Sequence, residues 1–559
     1  MKKIAMRSVR AALQLIPKNL KDKLKQNERL TNLYIKSVRR SGLFFDAPTP
    51  KQTQQLYAQW LEMEKGSEGF ASSHQVGWQA VVFGENGSCE TEKCLNELGA
   101  HKIVNVKHGA DENYAQHMME LDDNLPTLLL NSGDTLNASA ISTLVSALTH
   151  SDIVYCDTDQ FSEDGTRTNP RFLPDWSPEL QFSTAYVNTG VFIETSLLKL
   201  LNATEFNRVA GVLTELALSK KELKVAHVPK TLVHTTRNNS ADVATLNAVK
   251  RVLEKHTAVA VSLDEQFMVN RLCWSNTNPL VSLIIPTKNG KALVQACIES
   301  ILKKTTYQNF EILLIDNGSD EKESIEYFDY LNTLEKVSVL KYPAPFNYSA
   351  INNFGVEHAK GNIIGLINND IEVITPEWLT YLVGHAQRAE VGCVGAKLLY
   401  SDTRIQHAGV VLGYGGGAGH AHKNFPRYHT GYLKRIIATN NYSAVTAACL
   451  LVKRAHFDAV AGLNEKDLSV AFNDVDFCLR VKALGVNNVY CAEAELFHHE
   501  SVSRGLDISP EKAARFNKEL SYLQTQWADV IENDPAYSPN LTLKRENFSI
   551  KSREEFNGV

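Results

Sequence analysis

The stretch 281-VSLIIPTKNGKALVQACIESILKKTTYQNFEILLIDNGSD-320 decides the fold. VSLII (281–285) is a short unbroken apolar run, the pattern of a strand buried on both faces. KALVQACIESILKK (291–304) sets Leu293, Cys297 and Ile301, and Val294, Ile298 and Leu302, on two adjacent rows of spacing four, which predicts an amphipathic helix. EILLID (311–316) is the next strand, and VSVLKY (337–342) and IIGLIN (363–368) follow after further helical segments. Strands alternating with helices pair in parallel through right-handed crossovers, so the expected architecture is α/β, a doubly wound, Rossmann-like and mostly parallel sheet. Such sheets take ligands beyond the carboxyl ends of their strands, which points to Thr287, Asp316 and the run from Asn368 to Asp370.

Upstream, the same rhythm recurs in weaker form. WQAVVFGENG (78–87), a helix with Cys94 and Leu98, and KIVNV (102–106) repeat the order strand, helix, strand. LLLNSGDTLNASAISTLVSAL (128–148) parallels GLINNDIEVITPEWLTYLVGHA (365–386), and AYVNTGVFI (185–193) parallels NYSAVTAACLLV (441–452). Two tandem domains are predicted, meeting near 270–278. The expected division is a basic amphipathic helical arm over 1–50, a first α/β domain over 51–275, a second over 276–535 and a polar tail over 536–559. A helix start at Ser509, Pro510 and Glu511 opens a segment with Phe516, Leu520, Leu523 and Trp527 on one face, expected to pack on the second domain. Gly415, Gly416 and Gly417 have no phosphate-loop spacing and read as a lid.

Composition narrows the class. With 559 residues, 43% hydrophobic and 22% charged, the chain is ordinary globular protein, not disordered, collagenous or a disulfide mini-scaffold. The net charge of −5 is uneven: residues 1–40 hold twelve Lys/Arg against Asp22 and Glu28, a balance of +10 that leaves −15 on the rest. That excludes a generally basic nucleic-acid binder. The arm suits an anionic membrane surface, and equally a solvated face packed on its own protein. Nine cysteines without a CxxC pair imply a reducing compartment. AVTAACLLV (444–452) is half the ~18 residues a bilayer span requires. Arg7 and Arg10 interrupt what a signal peptide would need as its apolar core, so a cytoplasmic protein is expected.

Three segments carry chemistry. LINNDIE (366–372) ends an apolar strand in oxygen-bearing residues: Asp370 is a hard-cation ligand type and Asn368 a neutral hydrogen-bonding one, although such a cluster also suits a plain turn. FNDVDFCLR (472–480) puts Asp474 and Asp476 in the first turn of a helix, where acids also stabilise the helix dipole. Two residues apart on a helix, they point in different directions and have different tasks. LFHHES (496–501) brings His498, His499 and Glu500 to the end of another apolar strand.

From Val281 to about Gly505 the chain resembles the inverting family-2 glycosyltransferases of GT-A fold, in their bacterial O-antigen and surface-polysaccharide branch, which includes rhamnosyltransferases. The motifs that carry the resemblance are VSLIIPTKNG, EILLIDNGSD, FNYSAINNFG, LINNDIEVITPEWL, VGAKLLYSDTRIQHAGVVLG, AGHAHKNFP, NYSAVTAACLLVKR and AFNDVDFCLRVKALGVNNVYCAEAELFHHESVSRG. The resemblance implies that Pro286, Thr287 and Asp316 contact the nucleobase and ribose of a nucleotide-sugar donor. It makes Asn368, Asn369 and Asp370 the DxD-type motif, with Asp370 on Mg²⁺ or Mn²⁺ and Asn368 standing where an Asp is often found. It places Asp474 as general base, with Asn473 replacing the acid that usually precedes it and Asp476 as an acceptor-contacting or supporting residue. It puts His498 or His499 on the metal. The implied reaction is metal-dependent transfer with inversion, from a donor such as dTDP-rhamnose or a UDP-sugar to a glycan or lipid-linked glycan at the inner membrane face. A nucleotidyltransferase also pairs an α/β sheet with aspartates and a metal, but would need a triphosphate grip that TKNG poorly supplies. A non-catalytic scaffold of a polysaccharide-assembly complex fits the first domain better than the second.

The upstream copy looks like the first domain of two-domain members of that family, but degenerate. Its first strand lacks Pro-Thr, its DxD position reads Asn131, Ser132, Gly133, Asp134, and nothing like NDVD lies between Phe206 and His227. Catalysis is not expected of it, with Asp157 and Asp159 read as a turn after IVYC.

Overall fold

The computed structural model describes residues 47–67, 77–84, 89–107, 117, 119–201, 208–220, 222–235, 240–499 and 509–556. The basic arm expected over 1–50 falls almost wholly outside them, as does Glu500. Among the described residues no helix is long and apolar enough to cross a membrane. The chain divides into two compact units: a first made of Pro48–Ser275, Tyr432–Asn441 and Asn533–Val559, and a second that includes Asn276–Gly431 and Tyr442–Glu532.

The first unit opens with α1 (Pro50–Ser67), followed by β1 (Gln79–Phe83), α2 (Cys89–Glu97), β2 (Ile103–Val106), β3 (Thr127–Asn131), β4 (Thr135–Leu136) and α3 (Ala140–Leu148). Next come β5 (Ile153–Phe161), β6 (Arg167–Arg171), α4 (Pro178–Thr184), β7 (Val191–Ile193), α5 (Val209–Ser219) and β8 (Val225–Thr235). The sheet runs β2-β1-β3-β7-β5-β8-β4, with β6 on the flank of β5. Leu128, Leu130, Val154 and Phe192 from its strands meet Leu144 and Leu148 of α3 in one core. Beyond it, α6 (Val243–His256) packs with the hairpin of β9 (Val259–Asp264) and β10 (Val269–Trp274) around Leu246, Leu253 and Leu272.

The second unit holds β11 (Val281–Thr287), α7 (Lys291–Lys304), β12 (Phe310–Asp316), α8 (Lys322–Leu331), β13 (Val337–Lys341), α9 (Tyr348–His358), β14 (Ile363–Ile367) and β15 (Ile371–Val373). It continues with α10 (Trp378–Ala386), β16 (Val391–Leu399), β17 (Ile405–His407), the hairpin β18 (Val410–Leu412) and β19 (Ala418–His420), then β20 (Cys449–Lys453), α11 (Asn473–Lys482), β21 (Asn487–His498) and α12 (Pro510–Gln526). Its sheet runs β13-β12-β11-β14-β20-β16-β21-β15.

Apart from β13 at one edge, the two orders are the same, position for position. Directions agree as well: β1 is parallel to β2 and β3 as β11 is to β12 and β14, and β7 and β20 are each antiparallel to both neighbours. β4 and β15 each close the sheet antiparallel to the long last strand. The tandem architecture expected from the sequence is present, and the antiparallel strands make each sheet mixed, not doubly wound throughout.

One glycine shows how tightly α9 sits on its sheet. A Cβ on Gly355 would lie 2.4 Å from Ile284 Cγ2, so only glycine lets the helix approach β11 this closely. The stretch expected as a polar tail is instead part of the first unit. Asn540 is 7% exposed, accepts from Trp60 Nε1 at 3.2 Å and donates to Asp157 at 3.2 Å. Its polar residues satisfy buried groups, which hydropathy alone does not reveal.

Candidate active site

The site of the second unit forms at the carboxyl ends of its parallel strands. β11 ends in Pro286 and Thr287; β12 ends in Asp316, with Asn317 following; β14 ends at Ile367 and releases Asn368, Asn369 and Asp370 into the turn before β15. β15 pairs antiparallel with β21, Ile371 opposite His498, and this pairing brings Asp370 and His498 together. His498 Nε2 lies 3.3 Å from Asp370 Oδ1 and 3.3 Å from Asn368 Nδ2. Both Asp370 and His498 are buried. His499 points to the other face of the strand, as alternation requires. Its ring meets Ser401 Oγ at 2.7 Å and Glu372 Oε2 at 3.4 Å, and only its backbone N–H reaches Asp370, donating to the carbonyl at 3.0 Å. Among the described residues there is no group of three or more His, Cys, Asp or Glu side chains able to hold a metal. The geometry offers two donors, the Asp370 carboxylate and the His498 imidazole.

Asp474 stands in the first turn of α11, after Phe472, whose φ of 59° is a left-handed conformation for a bulky residue. The carboxylate accepts from the Ala447 N–H at 3.1 Å and from the Val475 N–H at 2.9 Å. Burial raises its pKa above the usual carboxylate range, against those two bonds, which lower it. Tyr348 links Ala447, and through it Asp474, to the strand-end cluster, since its hydroxyl faces Asn368 Oδ1 at 3.1 Å and the Ala447 carbonyl at 3.2 Å. The neighbouring acid has other work. Asp476, 1% exposed, accepts from Arg480 Nε at 2.8 Å and Trp527 Nε1 at 3.0 Å, which anchors α11. Asn473 donates to the Val470 carbonyl at 2.9 Å.

A cleft of about 240 Å³ is lined in part by Pro286, Thr287, Asn317, Phe346 and Asn369 and, from α12, by Lys512; Asp370, His498 and Asp474 are not part of its lining. Asn369 donates to Thr287 Oγ1 at 2.9 Å. Asp316 accepts from the Ser319 N–H at 2.9 Å and lines a neighbouring cleft with Lys341 and Pro343. Sequence reasoning assigned no role to Tyr348, Asn317, Phe346, Lys512 or Arg515. The signal for the last two lay in their three-residue spacing on a helix read only for its apolar face. The glycine turn expected as a lid is held on α12, where Gln524 Nε2 donates to the Gly416 carbonyl at 2.7 Å.

Residues 282–458, which all belong to the second unit except Tyr432–Asn441, match the family described as Glycosyl transferase family 2. The chain carries this match over 177 of its 559 residues. It is 43% identical over 448 residues to an uncharacterized protein, y4gI, of Sinorhizobium fredii, an alignment that covers 76% of this chain and 49% of that protein. It is 33% identical over 453 residues to the O-antigen biosynthesis protein RfbC of Myxococcus xanthus, covering 76% of this chain and 34% of that one. The chain thus spans half or less of the length of these two relatives. A solved mannosyltransferase from Pyrobaculum calidifontis, in complex with GDP-Man and Mn²⁺, matches at 12% identity and a TM-score of 0.33, over 44% of this chain and 64% of that one. Within the matched span and the helix and strand after it, Asp370 meets His498 directly, while Asp474 reaches Asn368 only through Ala447 and Tyr348.

Proposed function

We propose that the second unit transfers a sugar, with inversion, from a nucleoside-diphosphate sugar to a hydroxyl of a glycan or lipid-linked glycan in bacterial surface-polysaccharide synthesis. The observation that carries this reading is the coupling of Asp474, through Ala447 and Tyr348, to Asn368 in the Asn368–Asp370–His498 cluster. An acceptor hydroxyl is far too weak an acid to attack unaided at neutral pH, so it needs a carboxylate within hydrogen-bond reach. Asp474 takes the proton while the acceptor oxygen bonds to the anomeric carbon. The bond from that carbon to the phosphate oxygen breaks, and its electron pair leaves with the nucleoside diphosphate. One base and no protein nucleophile give a single displacement, hence inversion.

Asp370 and His498 suit Mg²⁺ or Mn²⁺, being a hard oxygen and an imidazole nitrogen, and would hold the ion with positions left for phosphate oxygens. When bound, the ion offsets charge developing on the leaving diphosphate. Pro286, Thr287, Asp316, Asn368 and Asn369 are assigned to the donor. dTDP-rhamnose and UDP-sugars are the first donors to test. Thermal shift over a panel of nucleotide sugars, with and without Mg²⁺ or Mn²⁺, checks the reading: a ligand at 100 times its Kd adds roughly 2.7 kcal/mol. Stabilisation by no nucleotide sugar, under either condition, overturns it.

The first unit is assigned a scaffold, acceptor-binding or partner-docking role. The basic residues of 1–40 are assigned to peripheral contact with the inner face of the cytoplasmic membrane. Deleting them is expected to lower binding to anionic vesicles while activity on a soluble acceptor survives, and unchanged vesicle binding refutes that assignment.

A further inference from the structure

The cleft beside Thr287 and Asn369 is lined by three cations, Lys288, Lys512 and Arg515, and by no carboxylate. In a chain with a net charge of −5 this is a local reversal of sign. Two of the three cations come from α12, outside the span 282–458 matched by the family. Lys512 and Arg515 are three residues apart and so share one face of the helix. Both are half-buried, whereas Glu511, Ala513 and Ala514 around them are exposed.

The helix is fixed to the domain by its later turns. Glu519, 2% exposed, accepts from Ser469 Oγ at 2.8 Å, the Val470 N–H at 2.9 Å and the Ala471 N–H at 3.0 Å. Gln524 holds Gly416, and Trp527 just beyond the helix holds Asp476. Arg515 lies 3.6 Å from Glu519, which ties the guanidinium to the same anchored turn. The first turns of α12 are therefore held against the cleft, and the loop 469–471 that leads into the Asp474 helix is held by the same element.

We propose that Lys512 and Arg515 bind the diphosphate of the donor and of the departing nucleoside diphosphate, supplying positive charge in the cleft beside Thr287 and Asn369, next to a strand-end run whose single carboxylate is Asp370. This rests on the glycosyltransferase reading and names two residues for one part of its donor. A guanidinium and an ammonium bound to phosphate oxygens make charge-assisted hydrogen bonds, the stronger class.

The test is titration calorimetry of the full chain with UDP, GDP, dTDP and ADP, each with Mn²⁺ and with EDTA, and with the nucleoside of whichever binds. Lys512→Met/Arg515→Met is expected to weaken the diphosphate at least about tenfold while leaving the nucleoside unchanged. Lys512→Arg and Arg515→Lys, which keep the charge, are expected to stay within about threefold of wild type, and Lys518→Ala on the exposed face to change nothing. A folded double variant that binds the diphosphate as tightly as wild type overturns the inference alone. If the double variant fails to fold, Lys512→Met alone decides in the same two directions. A wild-type chain that binds none of the four nucleotides overturns the glycosyltransferase reading and this inference with it.

Discussion

The two units are one topology with two fates. In the second, β15 pairs with β21 so that His498 stands opposite Ile371 and beside Asp370. In the first, β4 pairs with β8 in the same way, His234 opposite Thr135, but His234 turns to Asp159 at 2.6 Å while Asp134 accepts from Thr189 at 2.6 Å. The helix leading to the last long strand differs more. α11 begins with Asp474 and Asp476, whereas α5 has no acid in its first turn. The first unit's carboxylates are absorbed internally: Asp159 takes Arg167 Nε at 2.6 Å and the Tyr57 hydroxyl, and Asp157 takes His227 at 2.8 Å, the Leu173 N–H at 2.7 Å and Asn540. Apolar strands preserve a fold, and the residues at their ends decide whether it holds a reaction or only itself.

The largest effect should come from the residue with no acidic counterpart in the first unit. Asp474→Asn is expected to reduce kcat by roughly 10²–10⁴ with the fold intact, and a folded variant with near wild-type transfer breaks the comparison at its centre. The pH profile sharpens it. Burial raises the Asp474 pKa and the base must be ionised, so kcat/KM should fall on the acid side with a midpoint above the ordinary carboxylate range.

Next is a stability effect confined to the first unit. The Asp159 side chain is fully buried among Arg167, His234 and Tyr57, and its removal leaves the arginine without its closest carboxylate. Asp159→Ala is expected to destabilise the protein by roughly 3–5 kcal/mol, read as an earlier thermal transition. Turnover per folded molecule should hold, and a fall in kcat without a fall in melting temperature would mean this cluster takes part in the reaction.

Much of this contrast was legible in the sequence, for reasons that can be named. Strands such as VSLII and EILLID are buried on both faces, so composition alone announces them, and motif residues at their ends are placed by the fold rule. The loss of the NDVD motif upstream was visible as an absent string. Asp157 and Asp159 were misread as a turn because both lie within β5, and nothing local shows that their partners come from α1, β6, β8 and residue 540. The same limit hid Lys512 and Arg515: helical periodicity gives the face of a residue, not what that face meets.

A smaller contrast pairs the two strand-end aspartates. Asp370→Asn is expected to lower kcat on the order of 100-fold, because transition-state charge on the leaving group loses its support. Asp134→Ala at the matching place should leave kcat within about twofold and lower stability, the lost Thr189 bond alone by about 1 kcal/mol. Equal losses from both would show that the first unit is not a degenerate copy.

A further contrast is a pH dependence of stability belonging to the first unit alone. Burial of the His227 ring disfavours its charged form, but Asp157 and Asp175 outweigh this and raise its pKa to about 9. An unfolded histidine titrates near 6.5, so the folded state binds the proton more tightly. The resulting stabilisation is complete below about pH 6.5 and is lost as pH rises through about 9, on the order of 3 kcal/mol in all. Between pH 6 and pH 10 the first unit's melting temperature should therefore drop by about 6–12 °C more in wild type than in His227→Gln, which cannot bind that proton. Parallel curves for the two proteins would mean that His227 is held neutral, and that the Asp157 site is closed by hydrogen bonds from Leu173 and Asn540 without an ion pair.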